Sequence, residues 1–450
     1  MSIRQLFNGQ TSNASVAPPS ASALVLASTL AVTLTFGPPL PTAAQTTTVF
    51  SLPQALQAAR NNLDVSLARR ALAAAQGDVL AADHAPAPTI ISKAASIDLQ
   101  NGIGGGNLFS QKRIDKSIGV DWTWERGNKR ELRTAVAQRS AAAAKSDIDD
   151  VTVQQQLATA SSFFDLLSVQ ERIGQVEAIA RSASQLADTA ARRVKAGDLA
   201  AQDQARLEIE AQRAATDLLT AQLERKRAAV ALAQYTGYNG AAMLIAQPDW
   251  PNTLAADATS ESSSLFPDVE ARPEVRAAVQ RVEAARTALD LAAAQKKADF
   301  TLGTTLDHFP GTSNRLLELR LQMPLYGAFG GYNFQGEIAR SQAQLDQAED
   351  QLEKTRRAAT TDLVRLQQDR QGAAARALSY EATILPRARK VADMAELAYS
   401  RGAMSLTELI DARRTLRTIM LEALAARTDH AKAAQAWLIR QPQPTEQKPL

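Results

Sequence analysis

The sequence predicts a mostly α-helical protein with a small β part, built as two structural repeats, each a strand hairpin joined to a long coiled-coil helical hairpin. Three observations predict it: an apolar seam repeating every seven residues, a glycine turn that ends it, and period-two stretches ahead of each long helix. All three occur once in each half of the chain.

The first seam is Leu166, Ile173, Ala180, Ala187 and Val194 with Val169, Val176, Ala183 and Ala190; the second is Leu378, Leu385, Ala392 and Tyr399 with Ala388 and Ala395. This spacing winds helices into a left-handed supercoil, and alanine near the tip lets them approach closely. Gly197 and Gly402 stand at matching tips, about 205 residues apart. Glycine takes the left-handed conformation that ends a helix, and Ser405 with Glu408 three residues later is a capping box for the next one.

Composition narrows the class. An aromatic content of 5% and abundant alanine argue against several ordinary globular cores in 450 residues. The formal charge of +3 is spread among mixed signs, so no patch supports nucleic-acid binding. With no cysteine there is no disulfide, thiol chemistry or acylated N-terminal cysteine.

Taken in order, residues 22–36 form an uncharged apolar run followed by small residues, which reads as a secretory signal (1–44) cut near Ala44. No later stretch reaches the ~20 apolar residues of a spanning helix. The first repeat covers 45–240: a helical pattern from Ser51 to about Asp83, stopped by Pro86 and Pro88, then strands at about 89–124 and long helices at about 129–235. A proline-containing connection (241–270) precedes the second repeat, 271–440, with strands at about 298–326 and helices at about 332–438. The helices from Lys129 to Lys195 and from Tyr332 to Ser400 would each run on the order of 100 Å at 1.5 Å per residue, with a kink expected at Pro386. The tail, 441–450, is polar and expected to be disordered.

In the strands, Ile118, Val120, Trp122 and Trp124 alternate with Ser117, Gly119, Asp121 and Thr123, and Leu302, Thr304 and Leu306 alternate with Thr301, Gly303 and Thr305. Leu317, Leu319, Leu321 and Met323 complete the pattern. Such alternation describes a soluble sheet with one buried face or a strand between lipid and a wet interior. Two hairpins flanked by very long helices favour the second. Four strands cannot close a barrel and hydrocarbon tolerates no open edge, so a membrane role requires several chains to share one barrel.

The segments RPEVRAA at Arg272, PLYG at Pro324 and TILPRARKVADMAELAYSRGAMSLTELIDARR ending at Arg414 resemble, in order, the TolC-like outer-membrane efflux proteins over roughly residues 50–440. The resemblance implies a homotrimer with a 12-stranded β-barrel in the outer-membrane lipid, continued by an α-helical barrel in the periplasm. It implies two partners, a periplasmic membrane-fusion adaptor and an inner-membrane RND-type transporter. By motif match Asp203, Tyr399, Glu408 and Asp411 would line the pore entrance, while Gly197, Arg401 and Gly402 would take part in adaptor docking. Met404 stands where the family pattern has a tip arginine. The stretch Glu125 to Arg133, ERGNKRELR, resembles the heavy-metal branch of CzcC-like resistance proteins, with Asn128 in place of a glycine.

The sequence offers no enzyme chemistry: His84, His308 and His430 are scattered, and the Gly102–Gly106 run joins two strands instead of opening a helix. No cofactor or metal site is expected. The function expected is a passive exit duct of a tripartite efflux system carrying heavy-metal cations. Drug efflux or type I protein secretion are alternatives, and a soluble coiled-coil scaffold is the alternative of another class.

Overall fold

The computed structural model describes residues 48–97, 100, 102, 105, 113–240, 244–252, 268–309, 313–326 and 331–441. The structural unit is Thr46–Leu450. The expected signal (1–44), most of the 101–112 loop, residues 253–267 of the connection and the tail after Gln441 lie outside the described residues.

The chain begins with a short strand, β1 (Thr48–Phe50), parallel to β4 (Leu244–Ala246). Three residues are too few to show a period, and the sequence does not announce either strand. Gln170 secures β4 by donating to the Ala246 carbonyl at 3.0 Å and accepting from its N–H at 2.8 Å. The helical pattern after Ser51 resolves into α1 (Leu52–Ala59), opened by a Ser51–Gln54 capping box, and α2 (Leu63–Ala82). The break has a local cause: the Asn62 side chain accepts from Asp64 N–H at 3.0 Å and starts a new helix.

One antiparallel sheet joins the two strand hairpins in the order β2 (Thr89–Ala95), β3 (Asp115–Trp124), β5 (Phe300–Phe309), β6 (Ser313–Gln322). β2 ends at Ala95 because Ser96 turns to φ 59° and leaves the extended region. The register sets Trp122 opposite Leu302 and Leu302 opposite Leu321, so one face is apolar across three strands.

The first long helix, α3 (Lys129–Lys195), is continuous over 67 residues and returns as α4 (Ala201–Thr236). The second half of the chain enters through α5 (Pro273–Ala294). Its long helix is divided: α6 (Gln335–Ser379), a π-helical turn (Tyr380–Ile384), and α7 (Leu385–Ser400), which returns as α8 (Leu406–Arg440). Pro386 explains the division. It has no N–H for the Ala382 carbonyl and its ring would crowd that oxygen, so the turn before it widens and Leu385 N–H reaches back to Tyr380.

Where α1, α3, α4, β4 and α8 meet, Phe163, Phe164, Leu166, Leu232 and Leu244 form the main core. Phe163 and Phe164 pack edge to face at 5.6 Å, and Trp250 stacks on Phe164 at 6.0 Å. Toward the tips the seams are buried on alanine, at Ala187 and Ala190 in α3 and at Ala388, Ala392 and Ala395 in α7.

Candidate functional site

The two hairpin tips share a backbone motif. Gly197 (φ 84°) and Gly402 (φ 74°) are both left-handed. Each is followed by a Schellman bond, Asp198 N–H to Arg193 O at 2.8 Å and Ala403 N–H to Ala398 O at 2.9 Å. A Cβ at either glycine meets nothing within 4 Å, so the space above both turns is open. Arg401, at the end of α7, is exposed.

The tips are brought together by one apolar cluster. Ala187, Ala190, Leu207 and Leu406 are buried there, with Leu199, Tyr399 and Ile410 packed against them. Tyr399, expected at the pore entrance, therefore rests its half-buried ring on its own chain. Above the cluster α4 and α8 are laced by Arg206 to Thr407 at 3.4 Å and by the ion pairs Glu210–Arg414 and Asp217–Arg417. Arg413 pairs with Glu396 at 2.8 Å inside the second hairpin. An apolar cavity of about 280 Å³, lined by Ile179, Ala183, Ile410 and Met420 among others, lies between the hairpins.

The acidic residues differ in what they do. Glu408 closes the capping box: its carboxylate accepts Ser405 N–H at 2.9 Å and Ser405 Oγ–H at 2.8 Å. Those bonds, backbone first, hold its pKa below the usual glutamate range, the reverse of the rise crowded carboxylates would produce. Asp203 occupies the same third position of α4 and lies 3.9 Å from Arg206. Asp411 is exposed and has no ion pair among the described residues.

The sheet is inverted with respect to a soluble one. Leu317, Leu319 and Leu321 on β6 are 70%, 73% and 71% exposed, and Ile118, Trp122 and Trp124 on β3 are exposed as well. On the opposite face Thr305 and Asp307 are buried, and Arg320 spans Gly303 to grip Asp121 with two 2.7 Å bonds. A side chain at residue 303 would collide with that pair, so glycine there has a packing reason.

At the base of the sheet the ERGNKRELR stretch forms a clamp. Gly127 (φ 82°) and Asn128 (φ 57°) are both left-handed, and Asn tolerates that conformation where the family pattern has glycine. Lys129, buried, binds both oxygens of Asp299 at 2.9 Å, and Arg126 N–H donates to the same carboxylate at 2.8 Å. Arg133 forks onto Glu125 at 2.6 and 3.2 Å, and Arg130 reaches Asp83 at 3.0 Å. Sequence reading missed Asp83 and Asp299, since nothing local links them to partners some 50 and 170 residues away.

Among the described residues no helix is long and apolar enough to cross a membrane, and no group of three His, Cys, Asp or Glu residues is placed to hold a metal. The helical hairpins and the inverted sheet together give the fold of the TolC-like outer-membrane channels, as the motifs had indicated. No protein-family model matches the chain. In sequence it is 25% identical over 367 residues to the cobalt-zinc-cadmium resistance protein CzcC of Cupriavidus metallidurans, covering 80% of this chain and 82% of that protein. In structure it matches the outer-membrane protein VceC of Vibrio cholerae with a TM-score of 0.67 at 16% identity, over 86% of this chain and 95% of VceC. It matches CusC, which forms a transmembrane channel, with a TM-score of 0.64 at 17% identity, over 87% and 92% of the two chains.

Proposed function

We propose that this chain is the outer-membrane exit duct of a tripartite efflux system and not an enzyme. The observation that carries the reading is the inverted sheet: leucines and tryptophans face outward while Asp121, Asp307 and Arg320 face inward. In water that arrangement would expose an apolar patch at an energetic cost; in lipid it is the stable one. β2 and β6 are edge strands within the sheet, so three copies would close a 12-stranded barrel with no open edge. Apolar stripes on the helices, Leu219, Leu223 and Val230 on α4 and Val391 and Met394 on α7, supply faces for neighbouring copies.

In this reading repeats 45–240 and 271–440 each contribute one strand hairpin and one helical hairpin, joined through 241–270. The helices extend into the periplasm, and the tips meet an adaptor that links the duct to an inner-membrane RND-type transporter. Heavy-metal cations are the proposed cargo, supported by the likeness to a cobalt-zinc-cadmium resistance protein. Asp203, Glu408 and Asp411 line the entrance, where threefold copies of each would focus a negative field. Tyr399 narrows the mouth from its place on the tip cluster.

Mass measurement in mild detergent should give three chains, and planar-bilayer recording should give a cation-preferring pore whose preference falls in Glu408→Gln with Asp411→Asn. A water-soluble monomer or dimer without conductance would leave the coiled-coil scaffold as the better account. Unchanged reversal potentials in the double variant would remove these carboxylates from the pore while leaving the duct intact. For docking, Gly402→Trp should abolish resistance with folded trimer still in the membrane, because bulk beside Arg401 would fill the open space over that tip. Transport at the normal level in that variant would show that the adaptor binds elsewhere.

A further inference from the structure

His430 lies on α8 where that helix packs against α3, α6 and the π-turn, and it is 1% exposed. Neither Nδ1 nor Nε2 has a hydrogen-bond partner. A buried imidazole with both nitrogens idle gains nothing from its polarity and forfeits hydration, so a leucine would serve packing better. Its surroundings give the polarity a use.

The charged groups around it come from every packed element. Glu381 projects from the π-turn, Arg370 from α6, Arg427 from α8 itself and Glu171 from α3. Arg427 holds Glu381 at 3.5 Å and Glu171 at 3.4 Å, with its guanidinium 4.7 Å over the Trp250 ring. Arg427 thus ties the turn to the main core, and Tyr380 Oη–H adds a bond from the turn to Glu422 of α8 at 3.2 Å. Arg370 lies over Trp437 at 5.2 Å, and its Nε is buried without a partner. Two further pairs, Arg376–Asp429 and Lys432–Asp165, flank the group at the surface and have satisfied charges.

We propose that His430 is a proton-operated latch on the π-turn: on acidification the imidazolium draws Glu381 away from Arg427 and frees Tyr380–Ile384, the joint on which α7 and its tip turn. Burial holds the imidazole pKa below its ordinary value, Glu381 acts upward against that, and Arg370 acts downward. Once the turn opens, burial no longer opposes the proton and Glu381 favours it, so below the ordinary imidazole value of ~6.5 the opened turn binds more protons than the closed one. Stability of the closed turn is therefore full above about pH 6.5 and declines as pH falls. A widened helical turn beside a proline is the weak point at which such a change is taken up.

The latch rests on packing within a single chain and needs no neighbouring copy, so it stands or falls separately from the channel reading. Amide exchange of the full chain in detergent tests it, read at residues 380–385 and corrected for the chemical rate. Between about pH 7.5 and about pH 5.5 the opening constant there should rise on the order of tenfold, with residues 150–165 of α3 unchanged. In His430→Phe the rise should vanish, and in His430→Gln, which keeps a polar group that cannot titrate and serves if Phe fails to fold, it should vanish too. A pH-independent turn in the wild type, or the same rise in a folded non-titrating variant, overturns the proposal.

Discussion

Asn128 and Phe334 each stand in the left-handed region one residue before a long helix, with φ of 57° and 56°. The backbone step is the same, and the chemistry that secures it is not. Around Asn128 the clamp is ionic and partly buried, through Lys129–Asp299, Glu125–Arg133 and Asp83–Arg130. Around Phe334 it is aromatic: Tyr326 meets the ring edge to face at 4.8 Å, Tyr332 lies at 5.9 Å, and Tyr332 Oη accepts from Gly336 N–H at 3.0 Å. The strand-to-helix corner dictates the conformation, and each half of the chain meets that demand with its own residues.

The contrast continues along the helices. α3 is one unbroken strut, whereas its counterpart carries a π-turn and Pro386. At the far end the order of reinforcement reverses. α8 opens with a full capping box, while α4 opens at Ala200 with no side-chain cap. The first hairpin is anchored at its base and the second at its tip, with the joint between. The ion pairs Glu210–Arg414 and Asp217–Arg417 then make the first hairpin the rail against which the second is held.

Removing one ion should break the comparison most sharply. Asp299→Ala leaves Lys129 buried without its partner and deletes the acceptor of Arg126 N–H, a loss of about 3 kcal/mol by the measure of broken buried pairs. Tyr332→Phe removes an exposed hydroxyl that accepts from Gly336 N–H and donates to the Glu337 carboxylate at the matching corner, and should cost about 1 kcal/mol. Equilibrium denaturation of the detergent-solubilised protein separates the two. Equal losses would mean that the ionic clamp adds nothing over the aromatic one.

These pairs also show where sequence reading ends. The seams, both tip glycines and the Ser405–Glu408 box are local patterns, each contained within a few helical turns, and they appear as read. The alternating strands were legible for the same reason. What was not legible depends on distant partners: Asp299 has no local mark of meeting Lys129, and Glu210 none of meeting Arg414. The kink at Pro386 was expected, but its form as a π-turn one residue upstream of α7 depends on where the spare backbone bond can be taken up. His430 looked like an isolated histidine because its neighbours come from three other elements.

The smallest effect is also the cleanest, because the tips can be exchanged. Ala200 has φ −71° and ψ 141°, nearly the −74° and 155° of Ser405, so a serine there would sit in capping geometry without moving the backbone. Ala200→Ser should slow amide exchange in the first turn of α4, and Ser405→Ala should speed it in the first turn of α8, each by about 1 kcal/mol with opposite sign. The second change carries a pH signature. Glu408 is held below the ordinary carboxylate range by its bonds to Ser405, so this contribution is complete above the unfolded value near ~4.3 and fades as pH falls through the lower folded one. The wild-type difference between the two tips should accordingly persist at mild acidity and narrow only in strong acid. Exchange at 201–205 and 406–410, followed across that range, reads both outcomes. If the tips already differ no more at neutral pH than in strong acid, the capping box does not distinguish them, and the lacing by Arg206, Glu210 and Arg414 must set the order of the second tip instead.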